Sequence, residues 1–520
     1  MTGTWRLLRT RDPQWYAVRR AVRAAVVVPT NFAIGFEVIR NAQVATFAAF
    51  GSFALLLFVN FPGSWIQRLG EYLTLAVVGA GLVSLGSVVT TPSWLAVSAI
   101  AVVAFVVLFA GIVSSVINGA TQAALLAFIL AVMLPGGRAA VPDRLGGWAL
   151  ACLVSIPVAV LVWPPTDRDV LRHKTGALCR AAAAMLSLEQ PAADASSPLV
   201  AMSQAASAMK SAFRMSATRT AALSTGARLV IRLVDELEWL TSIVADACAT
   251  APDEWPAEGR RLRDAAARVL VSCADALEHP GTGPSPQACG ELAGCIADLQ
   301  AARSAVAEET VRDLQASALD QSAGEFERPL YAAHELGYAV ALAAGTVSAI
   351  AAADSRSWWA RLTGRQVVLD EFGVVAAAQR VAAGHLDRHS VWLQNSVRGA
   401  VGLAFAVLLA RLFDAQNAFW IGLGALSVLR SNALSTGATA LRALLGTAAG
   451  FAIGGAMVGV LGTGHALLWS LLPLVVLVSA LAPVVISFVA GQAAFTVFSI
   501  VLFNIVAPRG WHIGVTRAED

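Results

Sequence analysis

Charged residues are almost absent from two long stretches of this 520-residue sequence, about 24 to 136 and about 399 to 507. Hydrophobic residues make up 57% of the chain and charged ones only 14%. A helix that crosses the roughly 30 Å hydrocarbon core of a bilayer needs about 20 apolar residues, because each residue advances the helix by about 1.5 Å. Each stretch is long enough for several such helices, so the sequence predicts a polytopic membrane protein.

Glycine, proline and asparagine divide both stretches into segments of about one membrane thickness. The first stretch predicts six spans, near 21–39, 42–60, 72–90, 94–116, 119–134 and 146–163. The last stretch predicts five, near 393–412, 416–429, 439–461, 466–488 and 491–507, and the second of these is short for a full crossing. In the middle block, helix-packing spacing is shown by Leu233, Leu237, Leu240 and Val244.

These patterns predict an all-α fold in three parts. A transmembrane bundle of about six helices occupies 1–165, a helical cytoplasmic domain occupies 166–389, and a second bundle of about five helices occupies 390–520. Most arginines near span ends fall on one predicted side, which places the N-terminus and the middle domain in the cytoplasm of an inner (cell) membrane. Exceptions on the other side are Arg40, Arg138 and Arg144.

The two bundles share an ordered sequence pattern that predicts an internal duplication. The segment 42–51 resembles 415–424, and 122–128 resembles 492–498. In the same order, Arg23 and Arg68 align with Arg398 and Arg442. Two related bundles can enclose a path and rock about it. The second copy ends where the first continues into its sixth span, so we expect that this chain is truncated at its C-terminus.

Small residues occupy one face of the third span in each predicted copy. The later copy has a GxxxGxxxG ladder formed by Gly446, Gly450 and Gly454. The earlier copy has small residues on the comparable face, namely Ala76, Ala80 and Ser84. Such ladders let helix backbones approach closely in lipid. We interpret them as packing residues in preference to substrate contacts.

Polar residues within or beside the spans are the candidates for a substrate pathway. The arginines Arg23, Arg398, Arg68 and Arg442 could gather anions at the cytoplasmic helix ends, or could anchor the helices by reaching lipid phosphates. The amides that lie within or beside spans are Gln43, Gln416, Gln122 and Gln492. They serve either in hydrogen bonds between helices or as pathway lining.

Several other classes of protein are excluded by the residues present. The only lysines, Lys174 and Lys210, do not lie in a phosphate-binding GxxxxGK[ST] loop. The chain has no HExxH or GxSxG motif, and its seven histidines are scattered. The sequence therefore predicts no catalytic residue, no metal site and no cofactor. A net charge of +3, without a basic cluster, argues against nucleic acid as a partner.

Four segments of the chain resemble the fusaric acid resistance (FUSC) and aromatic acid exporter family. They are Asn417-Ala-Phe-Trp420, Arg442-Ala-Leu-Leu-Gly-Thr-Ala-Ala-Gly450, Gly510-Trp-His-Ile-Gly-Val-Thr-Arg517 and a middle-domain helix over 228–240. The resemblance implies efflux of small amphipathic or aromatic organic acids, and it is compatible with a homo-oligomer. Plant relatives of the family include organic-anion channels, so a channel stays open as an alternative. A non-transporting membrane scaffold whose cytoplasmic domain recruits partners is the other alternative.

Overall fold

The structure is a computed structural model that describes residues 15–61, 63–163, 167–187, 196–217, 225–249, 255–278, 285–317, 327–362, 391–412, 424, 436–462 and 464–506. These residues form helices and turns, with no strand among them. Contacts divide the chain into two compact units. The membrane unit comprises the described residues of Met1–Pro165, Trp358–Gln366 and Asp370–Asp520, and the helical unit comprises those of Thr166–Ser357.

Six helices form the first part of the membrane unit, in the order that the apolar segments predict. They are α1 (Tyr16–Ala33, continued by a π-helical turn Ile34–Val38), α2 (Ala42–Phe53, continued by a π-helical turn Ala54–Phe58), α3 (Trp65–Val88), α4 (Ser93–Ala110), α5 (Ser115–Met133) and α6 (Val141–Leu161). Five of these are long and apolar enough to span a membrane, and Ala42–Phe58 is a shorter apolar helix.

The helical unit consists of six helices around a core of its own. They are α7 (Asp167–Leu186), α8 (Ser196–Ala217), α9 (Thr225–Ala249), α10 (Ala257–Leu277), α11 (Pro286–Ser317) and α12 (Glu327–Asp354). Helix α10 packs on α7, α11 and α12, and α9 packs on α12. The four residues of the predicted packing seam, Leu233, Leu237, Leu240 and Val244, are all buried in this core.

One helix of the helical unit is as apolar as a membrane span. Tyr331–Asp354, within α12, has the length and composition of a crossing, which the sequence did not predict. Its buried side chains, such as Leu336 and Val340, lie in the core with residues of α9 and α10. Burial against neighbouring helices satisfies the same apolar composition that lipid would, so composition alone does not separate the two cases.

Buried thiols are part of the same core. Burial raises the pKa of Cys179 to about 12 and that of Cys273 well above its usual value. Both side chains therefore stay protonated at neutral pH and behave as small apolar groups. All six cysteines of the chain are free thiols.

Five further helices of the membrane unit lie among the residues that the structure describes. They are α13 (Trp358–Leu362), α14 (Val391–Leu412), α15 (Thr436–Leu461), α16 (His465–Val485) and α17 (Phe488–Val506). The last four correspond to the predicted spans near 393–412, 439–461, 466–488 and 491–507. The predicted span near 416–429 and the C-terminal segment after 506 lie outside the described residues. The prediction of an all-α chain with many apolar helices is thus confirmed for the part that the structure describes.

Short polar side chains fix where several membrane helices begin. Ser64 and Gln67 form a capping box at the start of α3, each side chain bonding to the other's backbone N–H. Asn41 accepts from two backbone N–H groups at the start of α2, and Ser114 accepts from Ile117 N–H at the start of α5. These bonds satisfy amide groups that have no partner within their helix.

Helices from the two ends of the chain pack against each other within the membrane unit. Helix α1 packs on α16, and α14 packs on α4. Rings of α2 and α17 also meet, because Phe53 stacks on Phe498 with ring centroids 5.4 Å apart, and Phe50 lies 6.1 Å from the same ring. The N-terminal and C-terminal segments therefore pack against each other within the membrane unit.

The glycines of α15 lie directly against α17. A Cβ atom placed on Gly446 would lie 2.6 Å from the carbonyl oxygen of Val489, and one on Gly450 would lie 2.4 Å from that of Ala493. Gly454 differs, because a Cβ atom there would lie 2.8 Å from the tip of the Ile500 side chain and not from backbone. Since no real Cβ atom approaches a backbone oxygen this closely, glycine is required for the spacing of these two helices.

Two alanine substitutions on α15 test this packing. Gly450→Ala should destabilise the protein by about 1–3 kcal/mol, because the new methyl group overlaps backbone of α17. Gly459→Ala is the matched control, since a Cβ there meets nothing within 4 Å and alanine improves helix propensity by up to about 1 kcal/mol. Thermal unfolding in detergent measures both. A melting temperature for Gly450→Ala equal to that of the control would contradict the packing.

Candidate functional site

Two of the candidate arginines meet at one end of the membrane unit, where α6 ends. Arg23 donates from Nη1 to the carbonyl oxygens of Val162, at 3.0 Å, and Ala159, at 3.5 Å. Arg68 donates from Nη1 to the carbonyl of Val160 at 3.1 Å, and from Nη2 to that of Ala159. Both side chains are buried. Their cations thus complement the partial negative charge of a helix C-terminus, instead of reaching lipid phosphates.

A third arginine at this end donates to backbone carbonyls at the end of α2. Arg20 donates from Nε to the carbonyl of Leu56, at 2.9 Å, and from Nη2 to that of Leu57. These carbonyls belong to the π-helical turn in which α2 ends. Arg20 is not among the candidates that the sequence offers, because nothing in its neighbourhood indicates which helix end it will meet.

A buried ion pair lies beside these arginines. The Glu71 carboxylate is fully buried on α3, and Arg361 Nε of α13 lies 3.3 Å from it. Arg361 also donates from Nη1 to Gln67 Oε1, at 2.8 Å. The ring of Trp358 covers Gly70, where a Cβ atom would lie 2.6 Å from the ring. The five residues of α13 are therefore held on α3 by one ion pair, one hydrogen bond and one aromatic contact.

The opposite end of the membrane unit is organised around Arg144. This side chain is fully buried at the start of α6, and its guanidinium reaches five acceptors within 3.2 Å. Three are backbone carbonyls at the end of α5, and the other two are side-chain oxygens: Ala131, Leu134, Pro135, Ser87 Oγ and Gln43 Oε1. Arg411 of α14 donates to Val132 of the same helix end, at 3.1 Å.

The structure separates the remaining sequence candidates. Gln43 joins the Arg144 network and also donates to the carbonyl of Pro135, at 2.8 Å. Gln122 is half-buried on α5, and Gln492 is half-buried on α17, where its Cβ faces Gly446. Gln416 lies outside the described residues.

Arg398 and Arg442, which align with Arg23 and Arg68 in the predicted repeat, are less buried than those two residues. Arg398 is half-buried on α14 and Arg442 is exposed on α15, whereas both of their counterparts are buried.

The small residues Ala76 and Ala80 pack at the edge of the membrane-unit core, and Ser84 donates to the carbonyl of Ala80. The Trp148 indole donates to the carbonyl of Ala76, at 2.9 Å.

The buried arginines of the first six helices share one electrostatic property. Within the described residues, no carboxylate lies at ion-pair distance, 4 Å, from Arg23, Arg68 or Arg144. Their hydrogen bonds go to carbonyl and hydroxyl oxygens, the Phe47 ring lies 5.6 Å from the Arg144 guanidinium, and the buried Glu71 carboxylate lies on the same helix as Arg68. A cation that is held by dipoles in a medium of low dielectric keeps more of its long-range field than one paired directly with a carboxylate.

The buried ion pair of α13 yields a stability prediction. Arg361→Gln should destabilise the protein by about 3–5 kcal/mol, because it removes a cation that lies against the buried Glu71 carboxylate. The double variant Glu71→Gln/Arg361→Gln should recover part of that loss, since neither charge of the pair remains. Thermal unfolding in detergent compares the two. The ion pair is not important if the double variant unfolds at the same temperature as Arg361→Gln, or below it.

Comparison with known proteins supports a transport family. Residues 404–520 match the family model described as fusaric acid resistance protein-like, and this range runs from within α14 through α15, α16 and α17. No curated protein matches the chain. The family is one of membrane transport proteins, and the apolar helices make this chain a multi-pass membrane protein. The resemblance found in the sequence is confirmed over this range, in which the chain is similar to the fusaric acid resistance protein-like family.

Proposed function

We propose that this chain exports small amphipathic organic anions, including aromatic carboxylates, across the inner membrane along a path between two repeated helix bundles. The observation that carries the proposal is the set of buried arginines Arg23, Arg68 and Arg144, which have no carboxylate at ion-pair distance among the described residues. Ionisable groups inside a membrane are expensive, and they commonly mark the pathway of a charged substrate.

The electrostatic argument concerns the barrier that an organic anion meets. Moving a carboxylate from water into a low-dielectric interior costs several kcal/mol even after relaxation. Guanidinium groups that are already desolvated and fixed by carbonyl groups require no further reorganisation when the anion arrives. Arginines at both ends of the first six helices therefore lower the barrier on entry and on exit.

Helix pairing supports the proposed repeat. If 1–165 and 390–520 are copies, α14 is the copy of α1 and α16 is the copy of α4. The packing of α1 on α16 and of α14 on α4 is then one contact made twice, as two parallel repeats around an axis along the membrane normal would make it. A path between repeats requires such a symmetric interface.

The proposed orientation follows from the arginine bias of the sequence. The end that holds Arg20, Arg23 and Arg68 would face the cytoplasm with the N-terminus and the domain 166–389, and the end that holds Arg144 would face outwards. The bilayer and the organic anion are the proposed partners, and a homo-oligomer is compatible with the family.

Flux measurements in liposomes test the electrostatic role. The protein should carry benzenesulfonate in preference to phenyltrimethylammonium, a cation of similar size. Arg144→Gln should reduce this preference by about tenfold, whereas Arg144→Lys, which keeps the charge, should retain most of it. Melting temperatures of both variants separate loss of charge from loss of fold. An unchanged preference in a folded Arg144→Gln protein would remove the electrostatic argument.

A cellular assay tests the paired arginines. Cells that lack the gene should accumulate the exported acid, and the full-length gene should restore export. The double variant Arg23→Gln/Arg398→Gln should fail to restore it although the protein reaches the membrane, because both predicted entry cations are lost. Export at the normal rate by this variant would limit these two arginines to a structural role.

A further inference from the structure

A histidine, a carboxylate and an indole meet where α1 contacts α16. His465 is the first residue of α16, Trp469 lies one turn later, and Glu37 lies in the π-helical turn that ends α1. The His465 Nε2 atom is 3.0 Å from Glu37 Oε1 and 2.9 Å from Trp469 Nε1. This cluster is at the end of α1 opposite to Arg23.

The two contacts of Nε2 require opposite protonation states of this nitrogen atom. An indole N–H is a donor only, so Trp469 can bond to Nε2 only when this atom carries a lone pair. An ionised carboxylate is an acceptor only, so Glu37 can bond to Nε2 only when this atom carries a hydrogen. One nitrogen atom therefore cannot satisfy Trp469 and Glu37 at the same time.

We propose that protonation of His465 switches its hydrogen bond from Trp469, within α16, to Glu37 at the end of α1. The neutral imidazole accepts the indole N–H of Trp469, and the protonated imidazolium releases it and donates from Nε2 to Glu37. Imidazole is the side chain that most often serves as a proton switch in proteins. Both His465 and Glu37 are more than half exposed, which gives protons direct access to the ring.

Among the residues that the structure describes, Glu37 is the carboxylate that contacts the ring. Helices α16 and α17 contain no charged residue. On the α1 side, Glu37 is followed three residues later by Arg40, which is exposed. The other neighbours are aromatic: Phe36 lies 6.3 Å from the imidazole, and Phe32 lies 5.2 Å from the Trp469 ring.

The exchange changes what holds the two helices together. In the neutral state the imidazole orients Trp469, within α16, against the Phe32 ring of α1. In the protonated state a charge-assisted bond joins α16 directly to the end of α1. Acidification thus adds a polar link between the N-terminal and C-terminal segments of the membrane unit. The exchange of hydrogen-bond partners at His465 does not depend on transport, and it can be measured without a substrate.

Indole signals report the exchange directly. Protein labelled with ¹⁵N-tryptophan, in detergent micelles, gives one indole N–H signal per tryptophan, and loss of a signal in Trp469→Phe assigns that of Trp469. The proton shift of this signal should move upfield as the pH falls from 8 to 5, because the indole loses its acceptor. In Glu37→Gln the same movement should need a lower pH, because the protonated ring has lost its carboxylate.

The controls separate this exchange from general effects of pH. In His465→Gln the Trp469 signal should no longer move with pH. The Trp148 indole, which donates to a backbone carbonyl, should keep its shift in every variant and so reports an intact fold. A Trp469 signal that is constant in the wild-type protein, or that moves equally in His465→Gln, would overturn the proposal.

Discussion

A helix that ends inside an apolar medium leaves backbone carbonyls that no water molecule can satisfy. In this chain, arginine side chains from neighbouring helices meet that need at three helix ends. Arg23 and Arg68 serve α6, Arg20 serves α2, and Arg144 serves α5. The guanidinium group suits the task because it offers five donors in a fixed plane at the end of a long side chain. The arrangement of the first six helices depends on these bonds.

The same medium explains how the helices pack. Lipid is as apolar as a leucine side chain, so helices in a bilayer gain little from burying apolar surface and rely on close contact and polar bonds. Close contact is provided where Gly446 and Gly450 approach the backbone of α17. Polar bonds are provided inside the bundle, where the Asn31 amide donates to Ser52 Oγ at 2.7 Å. Close backbone contacts at glycine and polar hydrogen bonds between helices both occur among α1 to α6 and α14 to α17.

The sequence predicted the described spans well, since a run of about 20 apolar residues is a local property. The partners of polar residues are not local. Arg144 bonds to Gln43 and Ser87, which lie 101 and 57 residues away, and no spacing rule connects them. The repeat alignment likewise treats Arg68 and Arg442 as equivalents, whereas one is buried and the other exposed. Tertiary context decides what a residue does, and an alignment of sequence segments matches only the residue type.

The two ends of α1 differ in the kind of charge that they hold. Arg23 keeps its charge at every physiological pH and binds α6, which belongs to the same N-terminal segment. Glu37 lies against His465 of α16, from the C-terminal segment. Pro29 lies between them within α1 and removes one backbone hydrogen bond, which lowers the resistance of the helix to bending. Helix α1 therefore bonds to α6 through its Arg23 end and to α16 through its Glu37 end, with the weakest point of its backbone ladder between the two contacts.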